Sequence, residues 1–117
     1  MKDAWVGEGA LVLTMGSYTE TDEDIILNCD RLITDHIGQT LHRGNLYEPA
    51  KKGLVNENSF HATLPDILAG KKAGRTDPKE RILCQIVGMG APDAAVAAKV
   101  LERIEAKGIE VPEIDLS

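Results

Sequence analysis

Glycine-rich turns are the first positions in this chain that could do chemistry. Val87-Gly-Met-Gly90 follows the apolar run Arg81–Gly88 and precedes a helical pattern, a context in which backbone N–H groups often meet an anion or a cofactor. It carries only half of the Gly-x-Gly-x-x-Gly fingerprint of dinucleotide sites, and the sequence has no Gly-x-x-x-x-Gly-Lys-Ser/Thr motif. The residues alone therefore favour a turn that packs a helix on a sheet, with a cofactor site as the alternative.

Charged residues form two further candidates. Asp35-His36 ends a predicted strand, where it is either a functional polar pair or, as the pattern favours, an exposed strand end. Lys71, Lys72 and Arg75 make a basic loop. Such a loop is more typical of a solvated turn than of a clamp for phosphate or carboxylate.

Metal and thiol chemistry have little support. His36 and His42 are six positions apart with a glycine between them, His61 is distant, and no Cys-x-x-Cys occurs, so we predict no metal site. Cys29 and Cys84 lie in or beside apolar stretches. This placement favours buried free thiols over a disulfide or a catalytic pair.

Length and composition bound the class of protein. The 117 residues make one domain's worth of chain, with a net charge of -6 and scattered Lys and Arg, so there is no electrostatic case for nucleic acid or an anionic membrane. No apolar run approaches the roughly 20 residues that span a bilayer. The start of the chain lacks a secretory apolar segment, so we expect a cytoplasmic protein. Few aromatic residues suit a core of aliphatic side chains between parallel strands and helices.

The amino-terminal segment predicts a strand–helix–strand unit. Residues 10–15 form an apolar run bounded by glycines, which predicts a strand covered on both faces. Thr21 is the predicted cap of a short helix that ends at Asn28. Arg31–Gly38 is the second predicted strand, parallel to the first. The loop at 16–19 follows the first strand, at the edge of a parallel sheet where ligands collect.

The remaining segments are predicted in order. The pattern over residues 39–53 predicts short helical segments that are broken by Gly44 and Pro49. Thr63–Gly70 is a predicted helix capped by Thr63, and residues 71–78 form the basic loop. A buried strand over 81–88 then leads into a helix over Pro92–Lys107. The apolar stripe of that helix should bury against the sheet, and its members are Ala97, Val100, Leu101 and Ile104. Residues 109–117 form an extended or loosely docked tail.

Four segments together resemble the carboxyl-terminal third of the ornithine cyclodeaminase/mu-crystallin family, in the family's order. Gly9–Ser17 and Asp30–Asp35 resemble two of its Rossmann strands. Leu64-Pro-Asp-Ile-Leu-Ala-Gly-Lys-Lys-Ala-Gly-Arg75 is similar to its helix and Ala-Gly-Lys-x-x-Gly-Arg loop, the most specific match. Ile82–Gly88 with Asp93–Ala98 resembles its late strand and returning helix.

The resemblance implies an α/β fold, namely the C-terminal half of a Rossmann-like parallel sheet with covering helices, a late strand and a long C-terminal helix. The chain would be a single partial domain over 1–117, with a βαβ unit at 5–38, short helices and the basic loop at 39–78, the strand and returning helix at 79–108 and a tail at 109–117. The family also implies an NAD(P)-dependent enzyme, usually a homodimer, that transfers hydride at the amine-bearing carbon of amino or imino acids. By the same resemblance the nicotinamide would lie near six residues: Met15, Gly16, Ser17, Ile86, Val87 and Gly88.

Two departures from the family pattern qualify what the resemblance implies. Tyr18 occupies the position at which ring-closing deaminases carry an acidic residue, and a phenol is a poor substitute for a carboxylate base at neutral pH. A dehydrogenase or reductase is therefore favoured over a cyclodeaminase. The family's pyrophosphate-binding glycine loop and substrate-binding Arg and Lys have no counterpart in the sequence, so the resemblance implies a fragment, a truncated product or one half of a split enzyme.

These departures lead to two expectations. The chain alone should neither bind NAD or NADP tightly nor turn over substrate, because no phosphate-cradling fingerprint is present. Strand 10–15 should leave an exposed apolar edge that pairs with another copy or with the missing amino-terminal half. Two alternatives remain: a non-catalytic self-associating interaction module, and a self-contained small α/β enzyme that uses Asp35, His36 and the charges of the Arg75 loop.

Overall fold

Four parallel strands form the sheet on which the molecule is built. The computed structural model describes residues 1–112 and 114–115. The strands are β1 (Leu11–Met15), β2 (Arg31–Thr34), β3 (Ala62–Thr63) and β4 (Ile82–Ile86). They are ordered β1-β4-β2-β3, and every pairing is parallel.

Five helices connect or follow the strands, together with 3-10 turns at Asp3–Trp5, Gly44–Leu46 and Glu57–Ser59. They are α1 (Glu23–Asn28), α2 (Ile37–Thr40), α3 (Tyr47–Lys51), α4 (Leu64–Leu68) and α5 (Gly90–Lys107). None of the described helices is both long enough and apolar enough to cross a bilayer.

The two faces of the sheet are covered unequally. One face carries Val12, Leu32 and Leu83, which pack with Ile25 and Ile26 of α1 and with Leu46 and Val55 into the main core. The other face carries Ile33, Ile82 and Cys84, which pack against Leu64 and Ile67 of α4. The predicted fold class, a parallel sheet with covering helices and a long C-terminal helix, is confirmed.

The covering of β1 differs from the prediction. The strand lies at an edge of the sheet and only Val12 and Thr14 are buried, whereas Leu11, Leu13 and Met15 are 61%, 48% and 66% exposed. Covering on both faces was therefore wrong, because α4 reaches across β2 and β4 but leaves this face of β1 open. The expected apolar edge is present.

The strand–helix–strand unit has parallel strands, as predicted, but the end of its second strand needs correction. β1 and β2 are parallel members of one sheet, but β4 lies between them and pairs with both. β2 ends at Thr34, four residues before the predicted end, because Ile37 begins α2. A pattern read locally does not reveal that a strand from the far end of the chain will insert between two earlier ones.

Helix α5 is the largest departure from the predicted packing. Its bounds are close to those predicted, and Gly108 ends it in the left-handed conformation at φ 59°. None of its residues is buried, so the predicted burial of the stripe against the sheet was wrong. The radius of gyration is 18.2 Å, against about 13 Å for a compact domain of about 100 residues.

Smaller predictions had mixed outcomes. The α4 prediction is confirmed, with the Thr63 hydroxyl accepting from Asp66 N at 3.3 Å. Thr21 does not cap α1, because Asp22 holds the cap position without a side-chain hydrogen bond. Pro49 lies inside α3, in its first turn, where a missing N–H breaks no helical bond.

The thiols and the tail complete the comparison. Cys84 is buried and Cys29 half-buried, and both are free. Burial raises the pKa of each thiol, so neither has the properties of an activated nucleophile. The tail has no helix or strand at 109–112 or at 114 and 115, and the rest of it, Glu113, Leu116 and Ser117, lies outside the described residues.

Candidate functional site

A groove of about 630 Å³ lies at the carboxyl ends of the strands. Met15 ends β1, Ile86 ends β4, and Asp35 follows β2, so three parallel strands deliver one side chain each to its lining. Leu64 of α4 closes one side, and the β4–α5 turn supplies Gly88 and Met89. Parallel sheets bind ligands at this edge because their strand ends and following loops converge there.

Five of the six predicted cofactor-facing residues converge at this edge. Met15 is opposite Ile86 in the strand register, and Gly16 N donates to Ile86 O at 3.1 Å. An adjoining groove of about 240 Å³ is lined by five of the six predicted residues, namely Met15, Gly16, Ile86, Val87 and Gly88. The two grooves share Met15, Ile86 and Gly88, so they form one continuous surface.

Ser17 and Tyr18 do not take part in this surface. Both are exposed and neither lines the grooves; Tyr18 is 85% exposed. A nearby carboxylate folds back onto the strand instead, since Glu20 Oε2 accepts from Met15 N at 3.3 Å. At the end of β1, Met15 and Gly16 therefore border the grooves, whereas the phenol of Tyr18 does not.

A buried polar network holds the two groove-forming segments together. The Thr14 hydroxyl donates to Gln85 Oε1 at 2.7 Å, and Gln85 Nε2 donates to Gly16 O at 3.2 Å. Gly44 packs against this network with φ 77°, and a Cβ there would lie 3.0 Å from Gly16 O. Because buried polar groups must be paired, this network fixes the relation of β1 to β4 next to the groove.

Asp35 is not the exposed strand end that the sequence favoured. It is 7% exposed, and its carboxylate accepts from Val87 N at 3.2 Å and from Gly88 N at 2.8 Å. His36 does remain exposed, and its Nδ1 accepts from Gln39 N at 3.2 Å to cap α2. The pair is therefore split: one member supports the groove and the other caps a helix.

The groove is suited to nonpolar rather than anionic surface. Met15, Leu64, Ile86 and Met89 dominate its lining. Asp93 lies in the first turn of α5 and also borders the groove, so a carboxylate occupies the place where a helix amino end would otherwise attract an anion. Among residues 1–112 and 114–115 no group of three potential metal ligands occurs.

Charged contacts concentrate at the opposite, amino ends of the strands. Arg31 Nη2 donates to Glu80 Oε1 at 2.7 Å and to Thr76 Oγ1 at 2.5 Å, while its Nη1 lies 2.5 Å from His61 Nε2. The Arg31 hydrogen bond, with help from Thr76, lowers the pKa of Glu80 to about 2. This ion pair anchors the loop that precedes β4.

The basic loop lies at that same end. Arg75 donates to the backbone oxygen of Glu80, and a weak contact of 3.5 Å joins it to Ala10 O. Lys71 pairs with Asp66 at 3.7 Å, and both Lys71 and Lys72 are exposed. This position, remote from the groove, agrees with the interpretation of the basic loop as a solvated turn.

Leu64, Met89 and Arg43 are among the groove or groove-supporting residues that were not anticipated. Arg43 Nη2 donates to Val87 O at 3.1 Å and to Gly88 O at 3.2 Å. No sequence signal marks Arg43, because it reaches the turn from a segment 44 positions earlier. Asp35 did carry a signal, since an acidic residue directly after a buried parallel strand reaches the ligand edge.

Alanine dehydrogenase of Archaeoglobus fulgidus is 28% identical over an alignment of 112 residues, and the alignment covers 93% of this chain and 35% of that protein. The structure of Thermococcus litoralis Δ1-pyrroline-2-carboxylate reductase with NADH and L-proline matches with a TM-score of 0.86 at 27% identity, over 97% of this chain and 36% of that one. An archaeal alanine dehydrogenase dimer with bound NAD matches equally well, with a TM-score of 0.86 at 27% identity, over 100% of this chain and 37% of its own.

The chain thus spans about a third of the length of these relatives. The sequence profile of the ornithine cyclodeaminase/mu-crystallin family matches residues 1–108, almost the whole chain. The similarity of fold to the solved relatives agrees with this match, and the chain belongs to the ornithine cyclodeaminase/mu-crystallin family.

Proposed function

We propose that this chain provides the nicotinamide-facing wall of an NAD or NADP site in an oxidoreductase of amino or imino acids. The observation that carries the proposal is the meeting of Met15–Gly16 with Ile86–Gly88 at the carboxyl ends of paired strands. Solved relatives at 27% identity are complexes with NADH and L-proline and with NAD. A bound nicotinamide accepts or donates a hydride at the amine-bearing carbon of a substrate.

The groove fits one part of such a cofactor and not another. Met15, Ile86 and Met89 offer nonpolar surface against which a planar ring can pack while water is excluded from that face. The pyrophosphate finds no comparable partner here, because the sequence has no glycine fingerprint and Asp93 borders the groove. The chain alone should therefore bind the dinucleotide weakly.

The remaining walls would come from polypeptide that pairs with β1, either in the same protein or in a second chain. β1 presents an unpaired edge and an open apolar face, and its groove residue Met15 lies at that edge. Exposed apolar edges of this length invite strand pairing. When no other polypeptide is present, the isolated chain should pair through β1 with a second copy of itself.

The cofactor part of the proposal can be tested on the chain itself. NADH titrated to millimolar concentration into the ¹⁵N- and methyl-labelled chain should shift the signals of Met15, Gly16 and Ile86–Met89. Lys71 and Lys72 at the far end provide internal controls. Shifts confined to that far end, no shifts anywhere, or binding as tight as micromolar would each contradict the proposal of a partial, nicotinamide-side wall.

The chemical part needs the rest of the enzyme. A chimera can be made in which this chain replaces the matching third of the Archaeoglobus alanine dehydrogenase. We expect it to bind NAD and to oxidise amino acids or reduce imino acids, but not to cyclise ornithine, because Tyr18 is an exposed phenol in place of a carboxylate. A folded chimera without hydride transfer to any substrate of a broad panel would contradict the activity.

A non-catalytic, self-associating interaction module is the second candidate. The observation that favours it is the unburied apolar stripe of α5, which gives the chain a second surface beside β1 for a partner. This candidate predicts stable self-association with no NADH response. Sedimentation and the NADH titration together separate the two functions.

A further inference from the structure

The β4–α5 turn is held by two oppositely charged side chains, one on each side of its backbone. From β2, the buried Asp35 carboxylate accepts from Val87 N at 3.2 Å and from Gly88 N at 2.8 Å. Thr34 Oγ1 donates to the same carboxylate at 3.2 Å and so orients it. The N–H groups of Val87 and Gly88 therefore point away from solvent, toward the sheet.

The carbonyl groups of the same two residues are bound by Arg43. Its Nη2 donates to Val87 O at 3.1 Å and to Gly88 O at 3.2 Å. Gln39 Oε1 accepts from the same nitrogen at 2.9 Å and thereby holds the guanidinium in place. The Asp35–Arg43 clamp, as we name this pair, thus leaves none of the four backbone polar groups of Val87 and Gly88 without a partner.

Gly88 has a left-handed backbone conformation within this clamp. Its φ is 85°, although a Cβ at this position would meet nothing within 4 Å. The glycine is therefore needed for backbone conformation and not for space, and glycine is also the residue for which rotation of the flanking peptide groups is easiest. An unclamped turn could rotate a carbonyl into the groove.

We propose that Asp35 and Arg43 are positioning residues that keep the backbone polar groups of Val87 and Gly88 away from the bound ligand. At Val87 and Gly88, a planar nicotinamide-type ring then meets only Cα and side-chain surface, next to Met15, Ile86 and Met89. This inference rests on the proposed function, because it names how that wall is kept nonpolar. It adds two residues that hold the turn: Asp35, which also lines the larger groove, and Arg43, which lines neither groove.

Amide hydrogen exchange in the intact chain tests the clamp itself. Asp35→Asn replaces one of two acceptors with a donor, so exchange at Val87 or Gly88 should accelerate about tenfold or more. The matched control is Asp30→Asn at the other end of the strands, where the carboxylate accepts from Arg81 N at 2.7 Å. The amide of Leu83 in the middle of β4 should exchange equally slowly in all forms.

Arg43 provides a second variant that does not depend on a buried group, since its side chain is exposed. Arg43→Met keeps the aliphatic stem but loses both bonds to the turn, so amide exchange at Val87 or Gly88 should accelerate. Arg43→Lys retains a cation that can reach the carbonyls, and it should restore part of the protection of these amides against exchange. Arg75→Met is the control, because Arg75 also donates to backbone oxygens but at the opposite end of the sheet.

NADH titration of the same variants tests the consequence for the ligand. Asp35→Asn and Arg43→Met should weaken the NADH shifts at Met15, Ile86 and Met89 at least about threefold, since a small change in turn geometry lowers ring contact. Unchanged exchange and unchanged shifts in both variants would overturn the clamp. Accelerated exchange in the variants with no NADH response even in the wild type would instead overturn the proposed function and the ligand-facing part of this inference.

Discussion

The Thr14 hydroxyl donates a 2.7 Å hydrogen bond to the side-chain oxygen of Gln85, and both residues are inaccessible to solvent, at 2% and 0% exposure. The bond crosses from the edge strand β1 to the central strand β4, one residue before each strand reaches the groove. Polar groups at such a depth are costly unless paired. The pairing therefore specifies the register that brings Met15 opposite Ile86.

Removal of the Thr14 hydroxyl should destabilise the chain more than its size suggests. Thr14→Val keeps the shape but leaves Gln85 Oε1 without this donor, so we expect a loss of about 1–3 kcal/mol in the free energy of unfolding. The double variant with Gln85→Leu should cost less than the sum of the two single variants. Urea denaturation of the four forms measures this; strict additivity would contradict the coupling.

Gly44 should be intolerant of a side chain because of where it packs. Gly44→Ala and Gly53→Ala both place Ala in the left-handed region, at φ 77° and 74°, which alone costs about 1–2 kcal/mol. Only at Gly44 would the new Cβ contact Gly16 O at 3.0 Å and Gln85 Nε2 at 3.2 Å. We expect Gly44→Ala to be the more destabilising by about 1–3 kcal/mol. Equal denaturation midpoints for the two variants would refute this account.

Stability in acid should depend on Glu80. Its pKa is lowered from 4.5 to about 2 in the folded chain, chiefly by the hydrogen bond from Arg31. A carboxyl group with a depressed folded-state pKa stabilises the fold above its unfolded-state pKa, and that stabilisation is lost as the pH falls from 4.5 toward about 2. Glu80→Gln should remove this part of the pH dependence, while the exposed Glu57→Gln should retain it. Urea midpoints across this pH range provide the measurement, and parallel acid limbs for Glu80→Gln and wild type would count against it.

The open face and edge of β1 should govern association. Leu13→Lys places a charge in the middle of the strand, where edge lysines discourage pairing, so it should reduce self-association at tens of micromolar protein. Leu68→Lys is the matched control, since Leu68 is also an exposed leucine, at 80%, but lies on α4. Sedimentation velocity distinguishes the variants. A monomeric wild type, or an equal effect of both substitutions, would contradict association through β1.

Local pattern was sufficient for most of the elements. Thr63, Pro65 and Gly70 gave the bounds of α4 because capping and proline placement act within one helical turn. The apolar run Arg81–Gly88 predicted β4, which spans Ile82–Ile86, and the position of β4 inside the sheet explains why it is buried on both faces. The convergence of Met15 with Ile86 followed from the family resemblance, not from any pattern in those residues.

The failures concern packing between distant segments. The stripe of α5 has the helical period, but period cannot tell whether a surface exists in the same chain to receive it. For the same reason, the apolar run of β1 predicted a strand buried on both faces, whereas α4 leaves one face of β1 open in the structure. Arg43 was missed because its role depends on a turn far away in sequence.

The two edges of the sheet are unequal: β3 pairs over only two residues, whereas β1 offers five, ending in the groove residue Met15. Any strand that extends the sheet on the β1 side would also border the ligand groove. Assembly and ligand binding would then be thermodynamically linked, each strengthening the other by the same factor. Under the proposed function, the affinity of this chain for the polypeptide that pairs with β1 should rise with cofactor concentration. The cofactor would then stabilise the association of the two polypeptides.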